Sequence, residues 1–436
     1  MKNCHNTENL QQPTVGFLLC GNLFEDFFDT IGVSLEDFRT KFRGSYQFGY
    51  IEALRLAGVR TVLFYVSARV STPVRFKHEP SGAEVCILPA PSVHRSFRYI
   101  CRLFPFLKRQ MTGSIDSYLV LPLRVLNQEL RREGCSAILF QDYENPSFDI
   151  CVLLGKMMHL PVFATFQAGS PRSRLEPPIR QLVIKGCTGL IIASQAEMLR
   201  VKTHYKISST KLARIFNPVD VTAWQAIDRN VARSKLEIPI NARVAAFHGR
   251  ISINHKGLDI LLEAWKQICK ERPGKDLRLL LIGTGSDAEE LQQRITAMQL
   301  QGVIWINQFI NDRSLIQQYL SAADVYCLAS RNEGFPVAPI EAMACGLPVV
   351  ATDVPGIPEI LEFGEASGGL VVPCENPLAL AEALGRFLDN EAWASELDRS
   401  ARSRAEECFS LEVIGNQLRD FLIDKEIPVV KDEKAS

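Results

Sequence analysis

At 436 residues the chain is too long for one core of ordinary size and implies two domains, or three. Its 49 lysines and arginines match 49 aspartates and glutamates, which excludes a nucleic-acid binder relying on global charge. A hydrophobic fraction of 47% with 22% charged residues excludes a mostly disordered chain. Apolar runs such as Leu279–Ile282 are strand-sized, far short of the ~20 residues of a membrane span. The start, Met1 to Pro13, is polar, and the apolar patch after it reads as a first strand rather than a signal peptide. Twelve scattered cysteines with no C-x-x-C pair argue against a zinc site or a disulfide framework. A soluble, reduced, cytoplasmic protein is expected.

The neutrality hides an asymmetry. Residues 1–220 hold 27 basic and 18 acidic side chains, a net of +9, and the remainder holds 22 and 31, a net of −9. Halves of opposite sign suggest two domains facing different partners.

Short β-branched apolar runs recur along the chain: Val15–Cys20, Thr61–Val66, Ala137–Phe140, Val162–Phe166 and Gly189–Ala193, then Val244–Phe247, Leu277–Ile282, Val303–Ile306, Val325–Leu328 and Pro348–Ala351. Gly, Ser, Asp or Pro follows each, and then a period of three to four, as in Gly257–Ile268. Strands alternating with helices predict right-handed βαβ units on parallel sheets covered on both faces. Ten or more strands make two doubly wound domains. The hinge is expected at Asn217-Pro218-Val219-Asp220, where a strand ends in Pro and the charge changes sign. Ligands of such sheets bind beyond the carboxyl ends of the strands, so functional residues are expected just after them.

In chain order, the first candidate is Arg43-Gly44-Ser45, which precedes a helix over Tyr46–Ala57 and follows a long insertion, Gly21–Phe42. It offers helix-start amides to a phosphate or an attacking hydroxyl, although an ordinary helix start explains Gly44 equally well. Next, Ser92–Arg109 carries Arg95, Arg98, Arg102, Lys108 and Arg109 without an acid, interleaved with Phe97, Tyr99, Leu103, Phe104 and Phe106. Such a segment can lie on anionic lipid or meet a lipid-linked acceptor, or else cover the sheet with its arginines solvated.

The segment 247–257, FHGRISINHKG, places Gly249-Arg250 at a strand end and has Lys256 opening the next helix. Two cations after one strand can clamp a diphosphate, Arg by its planar fork and Lys as a point charge. The densest constellation runs from Leu328 to Glu359. A strand feeds a Ser-Arg-Asn-Glu-Gly loop, and a helix starting near Pro336 offers the amides of Phe335, Val337 and Ala338 to an anion. Glu333 and Glu341 lie eight residues apart at either end of this turn. Each carboxylate can accept from two neighbouring hydroxyls, which suits two sugars joined through a phosphate bridge. Taken singly, Glu341 also reads as a solvated helix residue.

These motifs (Glu333-x7-Glu341, Gly249-Arg250 with Lys256-Gly257, and Asn217-Pro218-Val219-Asp220) resemble the large retaining glycosyltransferase family of GT-B fold, also known as glycosyl transferases group 1. The match is extended over about Ala245 to Glu359; the N-terminal half matches mainly in strand order. The resemblance implies two Rossmann-like domains facing across a cleft: residues 1–217 on the acceptor side, joined by a crossing helix at about 411–424, and residues 218–407 holding the donor. It implies transfer of a hexose from a UDP- or GDP-sugar to an acceptor hydroxyl on a glycan or lipid-linked molecule, with no cofactor and no metal ion. Arg250 and Lys256 would take the diphosphate and Glu341 the ribose. Glu333 and the Gly334-Phe335-Pro336 turn, with the amide of Val337, would take the sugar, and Ile310 would sit near the base.

One departure stands out. Where the family has Thr-x-His after a strand, this chain has Thr165-Phe166-Gln167. Glutamine can bond a sugar hydroxyl but cannot carry a proton, so Gln167 is expected to position rather than shuttle. Of the five histidines before the hinge none follows a strand, and Asp142 is the nearest other polar group at a strand end. Two rivals remain open: a nucleotide-sugar-binding protein with weak or no transfer, and an epimerase or phosphorylase on the same fold, the latter without a sign of lysine-bound pyridoxal phosphate.

Overall fold

The computed structural model describes residues 12–43, 46–103, 115–167 and 178–424. Gly44, the 104–109 portion of the basic aromatic stretch and the tail after residue 424 lie outside the described residues.

Fourteen strands form two sheets among the described residues. The first contains β1 (Thr14–Leu23), β2 (Arg60–Ser67), β3 (Val74–Lys77), β4 (Glu84–Pro89), β5 (Ala137–Phe140), β6 (Val162–Thr165), β7 (Gly189–Ile191) and β8 (Leu212–Ala213), in the order β3-β4-β2-β1-β5-β6-β7-β8. The second contains β9 (Arg243–His248), β10 (Leu277–Ile282), β11 (Val303–Ile306), β12 (Val325–Leu328), β13 (Val349–Thr352) and β14 (Gly369–Val372), in the order β11-β10-β9-β12-β13-β14. Every pairing is parallel except β3 on β4 at one edge. Helices cover both faces, so central strands are buried on both sides and read as unbroken apolar runs, as at Leu279, Leu280 and Leu281. Strand order reverses between β9 and β12, and between β1 and β5. Beyond the carboxyl ends of those pairs the sheet leaves a crevice.

The chain crosses between the domains twice, side by side. Val219 donates its amide to the Phe409 carbonyl at 2.7 Å and pairs with Ser410. Helix Leu411–Arg419 then lies against helix Tyr46–Leu56, and Leu411, Ile414, Leu418 and Phe421 are buried in the first domain's core. The strand expected to end at Pro218 is shorter: β8 stops at Ala213. Phe216 instead stacks on Phe335 at 5.1 Å and packs on Phe409, which makes this crossing an aromatic joint rather than a strand end.

Candidate active site

The crevice between β9 and β12 gathers the residues of the second domain that the motifs singled out. Arg250 follows β9 and is exposed; among the described residues its side chain has no hydrogen-bond or ion-pair partner. Lys256 does not open the next long helix. It closes a one-turn helix, Ile253–Lys256, and Gly257 at φ +59° separates it from helix Leu258–Glu271. A Cβ on Gly257 would lie 1.8 Å from the Ala329 carbonyl oxygen. This position therefore needs glycine twice over, for its left-handed backbone and for the close approach of the β12 loop. That approach brings Lys256 Nζ to 2.7 Å from Glu333 Oε1, which also accepts from Ser330 Oγ at 2.6 Å. The two cations are thus unequal: Lys256 is held in an ion pair, with its side chain 17% exposed, and Arg250 is unengaged.

Glu333 is buried, and Gly334 and Pro336 beside it are buried too. The helix begins at Ala338 with Val337 as its cap and Pro339 at the second position, two residues later than Pro336 suggested. Glu341, in its first turn, is half-buried and engaged: His248 Nε2 lies 2.9 Å from Glu341 Oε2. Each carboxylate therefore has one oxygen engaged by protein, and the other has no hydrogen-bond partner among the described residues. Sequence reasoning did not single out Ser330, His248 or His255. Burial holds the His255 imidazole below its usual range against the pull of Glu333, with Lys256 and Arg250 nearby pushing the same way as burial. Both histidines stand in the FHGRISINHKG segment, and their spacing from Glu341 and Glu333 in sequence carried no signal.

The first domain meets this crevice through Gln167. Its amide pairs reciprocally with Asn217, two bonds of 3.1 Å, and Asn217 Nδ2 also donates to the Phe335 carbonyl at 3.0 Å. Gln167 thus lies at the joint between the domains, with part of its hydrogen-bonding capacity committed to Asn217. The Phe335 ring is turned into that joint, stacked on Phe216. A second bridge lies beside Ile310, which is partly buried: Phe309 stacks on Phe42 at 6.2 Å, Asn311 Oδ1 accepts from the Arg43 amide at 2.9 Å, and Asn311 also donates to the Lys41 carbonyl. Gln195, after β7, donates its amide to Glu359 at 2.6 Å, a third contact across the domains.

Elsewhere in the first domain, Asp142 caps its own loop by accepting from the Glu144 amide. His78 is buried against Phe48, and burial pushes its imidazole down to about 4. In helix Ser92–Leu103 two of the arginines are paired within the first domain. Arg95 bonds the carbonyls of Ala90 and Val70, and Arg98 grips Asp26 with two bonds, while Val93, Tyr99, Ile100 and Leu103 face outward. No helix among the described residues is long and apolar enough to cross a membrane.

Comparison with known proteins follows the same geometry. Residues 242–390 match the model of the family of glycosyl transferases group 1. The chain is 29% identical to D-inositol 3-phosphate glycosyltransferase of Corynebacterium efficiens over 257 residues, covering 57% of this chain and 59% of that protein. It spans less than two thirds of the length of this and similar curated relatives. In fold it is similar to a glycosyltransferase from Rickettsia africae (TM-score 0.69, 15% identity, 97% of this chain and 100% of that one). It is also similar to HepE of Anabaena in complex with UDP and glucose (TM-score 0.64, 17% identity, 94% and 99%). The fold is GT-B: two Rossmann-like domains facing across a cleft.

Proposed function

We propose that the chain is a retaining glycosyltransferase that moves a hexose from a nucleotide-diphosphate sugar to an acceptor hydroxyl without needing a metal ion. The observation that carries this reading is the convergence of Arg250, Lys256, Glu333 and Glu341 at one reversal of strand order, each carboxylate keeping one oxygen open. In this reading residues 218–407 hold the donor, and residues 1–217 with the returning segment 411–424 hold the acceptor. Arg250 and Lys256 take the diphosphate, Glu341 the ribose, and Ile310 lies near the base. Glu333, the backbone of Gly334, Phe335 and Pro336 and the Val337 amide take the sugar. As the glycosidic bond breaks, negative charge grows on the departing diphosphate, where fixed cations and helix amides stabilise it. The acceptor oxygen attacks from the same face and the leaving phosphate takes its proton, so positioning does more than a strong side-chain base. A UDP- or GDP-sugar donor is supported by the UDP and glucose found with HepE, and a hydroxyl acceptor by relatives named for an inositol phosphate.

A thermal-shift panel of nucleoside diphosphates and their sugars tests the donor. A ligand at 100 times its dissociation constant stabilises by ~2.7 kcal/mol, so base and sugar preference emerge together. Failure of every member to bind sinks the reading. Binding without transfer or hydrolysis across a broad acceptor panel would make the chain a nucleotide-sugar-binding protein instead. Arg250→Ala is expected to weaken nucleoside-diphosphate binding roughly ten- to a hundredfold, the loss of one charge-assisted bond. Melting should stay parental, since the side chain is exposed and has no partner among the described residues. Unchanged affinity by calorimetry would remove Arg250 from the site.

Contact with anionic lipid at the inner membrane face, where a lipid-linked acceptor would reside, belongs to the same reading. Support comes from the outward apolar residues Val93, Ile100 and Leu103, not from Arg95 and Arg98. Val93→Glu combined with Ile100→Glu should abolish co-sedimentation with phosphatidylglycerol vesicles. Equal pelleting of parent and variant, or no pelleting of the parent, would end the idea.

A further inference from the structure

His248 is the last residue of β9, next to Gly249-Arg250, and is only 7% exposed. Three contacts fix it. Its ring meets that of Tyr326 at 5.3 Å in a T-shaped arrangement, and its carbonyl accepts from the buried Tyr326 hydroxyl at 3.2 Å. Its Nε2 lies 2.9 Å from Glu341 Oε2. The remaining ring nitrogen, Nδ1, is buried with no partner among the described residues. A carboxylate oxygen can only accept, so the nitrogen that faces it, Nε2, is the donor to Glu341.

From this we infer that His248 is a positioning residue for ribose recognition: its Nε2–H occupies one oxygen of Glu341 and aims the other at the sugar hydroxyls of the bound nucleotide. The inference rests on the donor reading above. Glu341 retains 24% side-chain exposure, and the oxygen away from His248 has no hydrogen-bond partner among the described residues. A carboxylate on a short helix would otherwise sample several rotamers, and ordering it beforehand lowers the entropy lost when a vicinal diol binds. The contact is confined to one carboxylate oxygen, so its removal should affect recognition of the ribose and leave the base and diphosphate contacts intact.

The test compares UDP with 2′-deoxy-UDP, and GDP with 2′-deoxy-GDP, by calorimetry. The parent is expected to prefer the ribonucleotide by roughly ten- to a hundredfold, the value of a hydrogen bond to a charged group. His248→Phe keeps the ring and its packing but removes the donor; the preference should shrink to within about threefold, with affinity for the deoxynucleotide unchanged. His248→Gln places an amide N–H where Nε2 stood and should restore most of the preference, whereas His248→Asn, whose amide stands where Nδ1 stood, should not. A merely structural histidine would lower both affinities together, or melting alone. A parental ribose preference in a folded His248→Phe variant overturns the inference alone. Should the Phe variant fail to fold, equal preference in the Gln and Asn variants overturns it. If the parent binds neither ribonucleotide, the donor reading fails and this inference with it.

Discussion

Glu333→Gln is expected to lower turnover by about two to three orders of magnitude, the cost of losing one well-placed electrostatic contact in a closed site, while donor affinity changes far less. The variant keeps an oxygen for Ser330 and Lys256 and removes a negative charge from the crevice. Lys256→Met should behave differently. It leaves Glu333 buried without its cation, and removing one partner of a buried pair costs ~3–5 kcal/mol, the lower end applying here because water reaches part of the lysine. Nucleotide affinity and melting temperature should then fall together, the latter by ~2–4 °C for each kcal/mol lost. A Glu333→Gln variant with parental turnover, measured at saturating donor and acceptor, would take this carboxylate out of the reaction.

Gln167→Ala is expected to cut transfer by roughly tenfold to a thousandfold with nucleoside-diphosphate affinity nearly constant. The motive is the chain of contacts from β6 through Asn217 to the Phe335 carbonyl, which ties the first domain to the turn beside Glu333. Deleting the amide loosens how the two domains are held together and leaves Arg250 and Lys256 untouched. Asn217→Ala should reproduce much of the loss, and the double variant should lose less than the sum, since both changes break one pair. Nucleotide affinity falling in step with transfer would place Gln167 on the donor instead. Gln167→His separates two roles. An imidazole cannot return both bonds to Asn217, so activity above the parent would mean that contact with the sugar outweighs the joint.

Much of the second domain was legible because its signals are local. An apolar run such as Leu277–Ile282 is a strand in the sequence and the same strand in the structure. Glu333, Glu341, Arg250 and Lys256 stand beside glycines and prolines that mark strand ends and helix starts. The strands β3, β4 and β14 were not picked out, and β8 was expected to run on to Pro218. β8 has only two residues, and β3 is a half-exposed edge strand whose only described neighbour is the antiparallel β4. Neither presents the run of buried apolar residues that identifies a central strand. The position of Lys256 was misread because a single turn of helix has no periodicity to detect, and only the φ of Gly257 separates it from the next helix.

By itself the sequence determined two parallel α/β domains and the charged residues that follow the second domain's strands. These depend on periodicity, turn chemistry and short spacings, all of which act over a few residues. Only the tertiary structure decided which charges meet: that Lys256 is taken by Glu333, 77 positions away, and leaves Arg250 unengaged, and that His248 holds Glu341 across 93 positions. It also decided that Gln167 faces Asn217, that Arg95 bonds two backbone carbonyls and that Arg98 pairs with Asp26. Partner choice of this kind follows from strand order and from how closely glycine lets two loops approach, and neither leaves a mark on the spacing of the residues it brings together.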